Sequence, residues 1–177
     1  MNKGFTLLEV LIVTIIISLI IPMMASLFIV NIMSYSRVQI LQEVKDNGDF
    51  VLDTVETKMR RDIRSIYSNA AATVEVCTVT SSLDTPESYS GQLYFRDDDQ
   101  AIFYLAEDSG VIEFTQNGDN QSLTNNLVNA SNLTMSCSRS SIFSNPIISI
   151  QFDVQQRSGA KFQDMAFLTF STKFKTR

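Results

Sequence analysis

The chain has no histidine and no tryptophan, and it holds only two cysteines, three prolines and six glycines among its 177 residues. Without histidine the usual Ser-His-Asp and Cys-His nucleophile arrangements are excluded, and the commonest zinc ligand is missing. The two cysteines, at 77 and 137, are too few for a cysteine-rich zinc site and too far apart for a C-x-x-C redox motif. The scarce glycines form no phosphate-cradling loop, and no internal repeat is present. Lysine and arginine total 14 against 19 acidic residues, giving a net charge of −5 and a pI near 4.7. That balance disfavours nucleic-acid binding through a broad basic surface. No convergent carboxylate pair stands out, so the chain is expected to be neither an enzyme nor a cofactor carrier.

What the chain does have is a long apolar run at its start. From Phe5 to Val30 the only charged residue is Glu9. As a helix this stretch spans roughly 39 Å, against roughly 30 Å for a bilayer's hydrocarbon. A secretory signal fits poorly, because the run is too long and no A-x-A type cleavage site follows it. The segment is expected to be a membrane helix. A carboxylate inside such a helix costs at least about 2.5 kcal/mol, which makes Glu9 a functional candidate. The bland alternative is that Glu9 snorkels into the headgroups from the helix end.

The residues before Glu9 bear on that choice. Lys3-Gly4-Phe5-Thr6-Leu7-Leu8-Glu9 resembles the processing site of the type IV pilin superfamily, which includes pilins and secretion pseudopilins. The resemblance covers roughly the first 30 residues. It implies that residues 1–4 are a leader, cut off after Gly4 by a prepilin peptidase on the cytoplasmic side. Phe5 then becomes the N-methylated terminus, and Glu9 stands four places on. Such a cut creates a positive amine on Phe5, and the Glu9 of one subunit can face the amine of its neighbour. In lipid that attraction far exceeds its value in water, so the pair would set the axial register of assembly. The uncut leader withholds the charge.

Pro22 interrupts the spanning run. It removes one backbone hydrogen bond, so a kink or local melting is expected there, with a harmless bend as the alternative. By resemblance the segment unwinds when the subunit joins a filament. Lys3 before the run and Arg37 and Lys45 after it are a weak guide to orientation. The cleavage motif is the better one.

Beyond Val30 the helix is expected to continue over 31–68, ending near Tyr67. Leu41, Val44, Val51, Val55, Met59, Ile63 and Ile66 recur at spacings near three and four, with a gap at Gly48 where a bend or break costs about 1 kcal/mol. Glu56–Arg60 and Lys58–Asp62 are i,i+4 pairs on the other face. Arg60, Arg61 and Arg64 read as a solvated face rather than a DNA-contacting patch.

Residues 69–177 read as a β-rich head. Strands are expected at Thr73–Thr80, Gln92–Arg96, Ala101–Leu105, Val111–Thr115, Asn132–Arg139, Ile147–Gln155 and Phe162–Phe174. The turns are Asp97–Gln100, Glu107–Gly110 and Arg157-Ser158-Gly159. Ser81–Gly91 reads as a loop, Gln116–Ser122 as a polar turn region, and Leu123–Ala130 as ambiguous. In the last strand Met165, Phe167 and Thr169 alternate with Ala166, Leu168 and Phe170, so both faces look apolar enough to be covered. The triple Asp97-Asp98-Asp99 invites a calcium reading, but a tight hairpin cannot supply six or more oxygens alone. Outside the cytoplasm Cys77 and Cys137 can pair; the alternative is two buried free thiols.

The fold expected is α+β and pilin-like: a long N-terminal helix, membrane-spanning over 5–30, packed on a C-terminal antiparallel sheet domain. The helix end at Met59–Arg64, the meander, and Leu127–Leu133 running into a strand also look like the W/J type of minor pilins and pseudopilins. The resemblance implies a single-pass inner-membrane protein, its head outside the cytoplasm, which then enters a cell-surface or periplasmic filament. Its partners would be other major and minor pilins, the prepilin peptidase/methyltransferase and the inner-membrane assembly platform. Nucleic acid is expected only in a competence role. The alternative is a tip binding module, an adhesin or DNA-uptake receptor, reading a ligand through loops Ser82–Gly91 and Gln116–Asn126.

Overall fold

The computed structural model describes residues 6–78, 87–97, 99–141, 144–157 and 166–176, without the side chains of Asp62 and Glu87. Outside the described residues lie Gly4 and Phe5, the stretch 79–86 of the expected strand and loop, Asp98 of the acidic triple, and 158–165, which holds most of the expected Arg157–Gly159 turn and the start of the last strand. The chain is α+β. Among the described residues one helix, α1 (Leu7–Asp62), is followed by nine strands in two antiparallel sheets. Two compact units divide it, residues 1–39 and 40–177.

In the first unit α1 is apolar on every side, and its large side chains from Leu7 to Val38 are all exposed. The helical backbone satisfies its own hydrogen bonds, which is the condition for lying in lipid. It runs without interruption through Pro22. Thr14, Ser18 and Ser26 turn their hydroxyls back onto the carbonyls of Leu11, Ile15 and Met23 at 2.8–2.9 Å, so these polar groups also find partners within the helix.

In the second unit α1 becomes one-sided. Val44, Val51, Val55, Met59 and, just past the helix end, Ile63 are buried. Gly48 occupies the missing position in that stripe, and the helix neither bends out of register nor breaks there. A Cβ on Gly48 would collide with the ring of Phe170, so the glycine lets the aromatic ring lie against the helix backbone. Leu41, expected on the same stripe, is exposed.

The helix ends at Asp62, short of the expected Tyr67. The Arg64 N–H donates to the Arg96 carbonyl at 2.9 Å, and Ser65–Tyr67 becomes strand β1, paired with Tyr94–Arg96. Ile63 and Ile66 are buried in either conformation, so their spacing could not tell helix from strand. Sheet partners then take over the backbone groups that another helical turn would have used.

After β1, strands β2 (Glu87–Ser90), β3 (Tyr94–Arg96), β4 (Ile102–Asp108), β5 (Val111–Gln116), β6 (Asp119–Ser122), β7 (Val128–Arg139), β8 (Ile147–Gln156) and β9 (Phe167–Lys175) follow. One sheet has the order β1-β3-β4-β5-β6, and the other β2-β7-β8-β9. The buried inner residues of both sheets and the α1 stripe form one core, with Phe95, Phe103 and Phe114 in successive ring contact at 5.5 Å.

Several strands depart from expectation. Over the expected Thr73–Thr80 strand only an isolated bridge, Tyr67 to Glu75, forms among the described residues. There Asn69 Oδ1 accepts the N–H groups of Thr73 and Val74, each at 3.0 Å, and diverts them from a ladder. Part of the expected Ser81–Gly91 loop is β2, held by β7. The polar turn region narrows to Asn117-Gly118, both at positive φ, and Asp119–Ser122 forms an edge strand although no side chain in it is buried. The last strand is apolar on one face only. Phe170 and Phe174 are buried while Phe167 is 55% exposed, because β9 is an edge strand whose other face meets solvent.

Candidate functional site

The N-terminal candidates begin where the description of the chain begins. Thr6 opens α1 as its N-cap: its hydroxyl and its carbonyl both accept the Glu9 N–H, at 3.4 and 3.0 Å, and the carbonyl also accepts Val10 N–H at 3.3 Å. Thr6-Leu7-Leu8-Glu9 has the T-x-x-E spacing of a capping box, a signal that was present in the sequence and that reading the segment as apolar overlooked. Glu9 therefore has two physical reasons to stand at this place. It lies in the first turn, where a negative charge is favoured by the helix dipole, and it is the only charge in the described apolar part of the helix. Its carboxylate is exposed and free to meet a group from another chain. Pro22 is exposed on the same helix, roughly 20 Å further along its axis. The structure does not bring these two residues together.

The second unit carries the cysteine pair. Cys77 and Cys137 form a disulfide, their Cα atoms 6.3 Å apart. Cys77 sits at φ 58°, in the irregular stretch after β1, and Cys137 lies in β7 opposite Tyr89 of β2. The bond ties the segment that leaves the first sheet to the centre of the second. Both sulfur-bearing residues are buried, so the bond also fills core volume.

The acidic turn is closed by its own backbone. Asp97 Oδ1 accepts the Ala101 N–H at 2.8 Å, the Asp97 carbonyl accepts Gln100 N–H, and Gln100 takes a positive φ. Among the described residues no three acidic, cysteine or histidine side chains converge as metal ligands. In the basic cluster, Arg60 is paired with Glu56 at 2.6 Å. Lys58 places its ammonium 5.7 Å from the Phe114 ring centre, while its expected partner Asp62 has no described side chain.

On the outer face of the second sheet Asp153 is held by two side chains. Asn132 Nδ2 donates to one carboxylate oxygen at 2.8 Å and Thr169 Oγ1 to the other at 2.7 Å. These two hydrogen bonds, Asn132's the larger influence, hold the carboxyl below the ordinary aspartate range. Asn132 takes φ 57° at a register shift in β7, which is what lets its amide reach across the strand.

Of the two expected ligand loops, the first half of Ser82–Gly91 lies outside the described residues and the second half is β2 and its following bend, while Gln116–Asn126 is a hairpin and connector. The connector is fastened to α1: Asn47 Oδ1 accepts the Asn125 N–H at 3.0 Å, and Glu43 accepts from the Asn125 amide at 3.4 Å.

Residues 1–21 match the family described as the prokaryotic N-terminal methylation motif. The match ends inside the apolar run and leaves the head domain without an assignment. No curated protein and no solved structure matches the chain. The chain therefore carries a methylation motif of the type IV pilin kind on a helix long and apolar enough to cross a membrane.

Proposed function

We propose that this protein is a minor pilin or pseudopilin, a structural subunit that initiates or caps assembly of a type IV pilus or a related secretion or competence filament. The observation that carries the reading is the methylation motif over residues 1–21, continuous with an apolar helix in which Glu9 is the isolated charge. On this reading a peptidase removes residues 1–4, Phe5 is methylated, 5–30 spans the inner membrane and later the filament core, and 31–68 leads into the head 69–177. The Phe5 amine of one subunit meets Glu9 of another in a low-dielectric setting, where the pair is strong and is not screened by salt. Pro22 is the point at which the helix can open when it leaves lipid for the filament. The disulfide suits a head outside the cytoplasm, where such bonds persist.

The test is intact-mass analysis of the protein from its host membrane. The reading predicts a mass lacking residues 1–4 and carrying one extra methyl group. A full-length, unmethylated chain would overturn it and leave a single-span membrane protein.

A further inference from the structure

The inner face of β6 is polar where a covered sheet face should be apolar. Register pairs Gln121 with Phe114 and Asp119 with Gln116, so Gln121 and Asp119 share the face of the buried Phe114 yet are themselves exposed. Between the β5–β6 hairpin and Lys58 of the helix lies a cleft of about 260 Å³, lined by Lys58, Phe114, Gln116, Asn117 and the β6 residues Asp119, Asn120 and Gln121.

Three of the side chains on the cleft side are primary amides, those of Gln116, Asn117 and Gln121; one is a carboxylate and one an ammonium. Each amide both donates and accepts, so two of them can bridge neighbouring hydroxyls, and a carboxylate accepts from two hydroxyls at once. The set is also held in place. Asn120, on the opposite face of β6, braces the hairpin from behind: its Oδ1 accepts from Thr115 at 2.9 Å while its Nδ2 donates to Glu113 at 3.1 Å, and the Asn117-Gly118 turn fixes the hairpin tip. An apolar ligand finds little surface here, because Phe114 is only 4% exposed and Lys58 lies over its ring. A phosphate meets one cation and one carboxylate, which offset each other. A polyhydroxylated ring meets hydrogen-bonding groups from both the hairpin and the helix. The volume lies below the roughly 300–1,000 Å³ of drug-sized sites, so the cleft takes one such ring and is open on its solvent side for whatever the ring is joined to.

The geometry points to a saccharide site: the cleft between Lys58 and the β5–β6 hairpin binds a single pyranose unit, free or at the end of a glycan. This inference rests on the binding-module alternative raised by the Gln116–Asn126 loop and does not depend on filament assembly. It is tested on the full chain in phospholipid nanodiscs, free of glycoside detergent, by saturation-transfer difference NMR. The probes are the methyl glycosides of glucose, galactose, mannose and N-acetylglucosamine, each beside its free reducing sugar. At least one should receive transfer. Asp119→Ala and Gln121→Ala should each weaken it about tenfold, the loss expected for a good hydrogen bond to a bound group. Ser171→Ala, on the outward face of β9, should leave it unchanged. Stronger binding of a glycoside assigns the site to glycan ends, and stronger binding of the reducing sugar assigns it to free sugars. No transfer from any probe overturns the proposal. So does binding that survives both substitutions, or an extended peptide that binds β6 where no sugar does. Because the readout needs neither processing nor a filament, its failure and that of the assembly reading are separate results.

Discussion

A methyl group added at Gly48 would fall well inside van der Waals contact with three carbons of the Phe170 ring, and the ring has little room to yield, since it is 8% exposed and stacked 5.5 Å from Phe152. Gly48→Ala is therefore expected to destabilise the head by about 1–3 kcal/mol, the usual cost of overpacking, although alanine is the better helix former. Thermal unfolding of the full chain measures this. Phe170→Leu in the same background should recover part of the loss, and strict additivity of the two changes would count against the contact. The sequence showed Gly48 only as a gap in the apolar stripe, because a residue without a side chain leaves no mark in a periodicity; the ring that fills it comes from a strand more than a hundred positions away. Asp153 offers a second test at this scale. Its folded-state pKa lies below the ordinary 3.8, so its hydrogen bonds stabilise the fold fully above that value and are lost as pH falls through the lower folded value. Asp153→Asn should thus lower the urea midpoint at pH 7 and make less difference once the pH has fallen through that lower folded value. A gap of equal size at both pH values would exclude the linkage.

Elements whose patterns were regular were legible beforehand, and those whose partners were remote were not. The meander β3-β4-β5 and the long β8 announced themselves by alternating apolar residues and short turns, and the structure has them within a few positions. β6 carries four polar residues and β2 follows a run of serine and threonine, so only their ladders to β5 and β7 define them. The same holds for β1, whose three residues belong equally well to a helix until β3 arrives beside them. The disulfide works at this scale, because it anchors the one stretch between β1 and β2 that lacks a full ladder among the described residues. Closing a loop with a sequence separation of 60 is worth about 4 kcal/mol in the chain-entropy model. Reduction, or Cys77→Ser with Cys137→Ser, should lower the denaturation midpoint by a corresponding amount. A midpoint unchanged on reduction would mean that the fold gains nothing from the bond.

On the proposed assembly role, the decisive quantity for the whole molecule is how much free energy one charge contributes to joining a filament. Glu9 stands alone in the described apolar stretch and already has its backbone N–H satisfied by Thr6, so helix capping does not require its carboxylate. Removing the charge should cost α1 only its favourable N-terminal placement, about 0.3–1 kcal/mol, and leave the head intact, so that its larger effect falls between chains. In a low-dielectric contact, an uncompensated amine on the neighbouring subunit costs several kcal/mol, far more than a surface pair in water. Glu9→Ala, and equally Glu9→Gln, should then mature normally, by intact mass, while the amount recovered in sheared filaments falls tenfold or more, about 1.4 kcal/mol at the least. Gly4→Ser is expected to fail one step earlier, retaining the leader and remaining in the membrane fraction. The order of the two defects carries the argument. If Glu9→Ala blocked maturation as well, the carboxylate would belong to peptidase recognition. If it left filament recovery unchanged, the apolar packing of the helices alone would suffice for assembly, and the isolated charge would be a headgroup anchor.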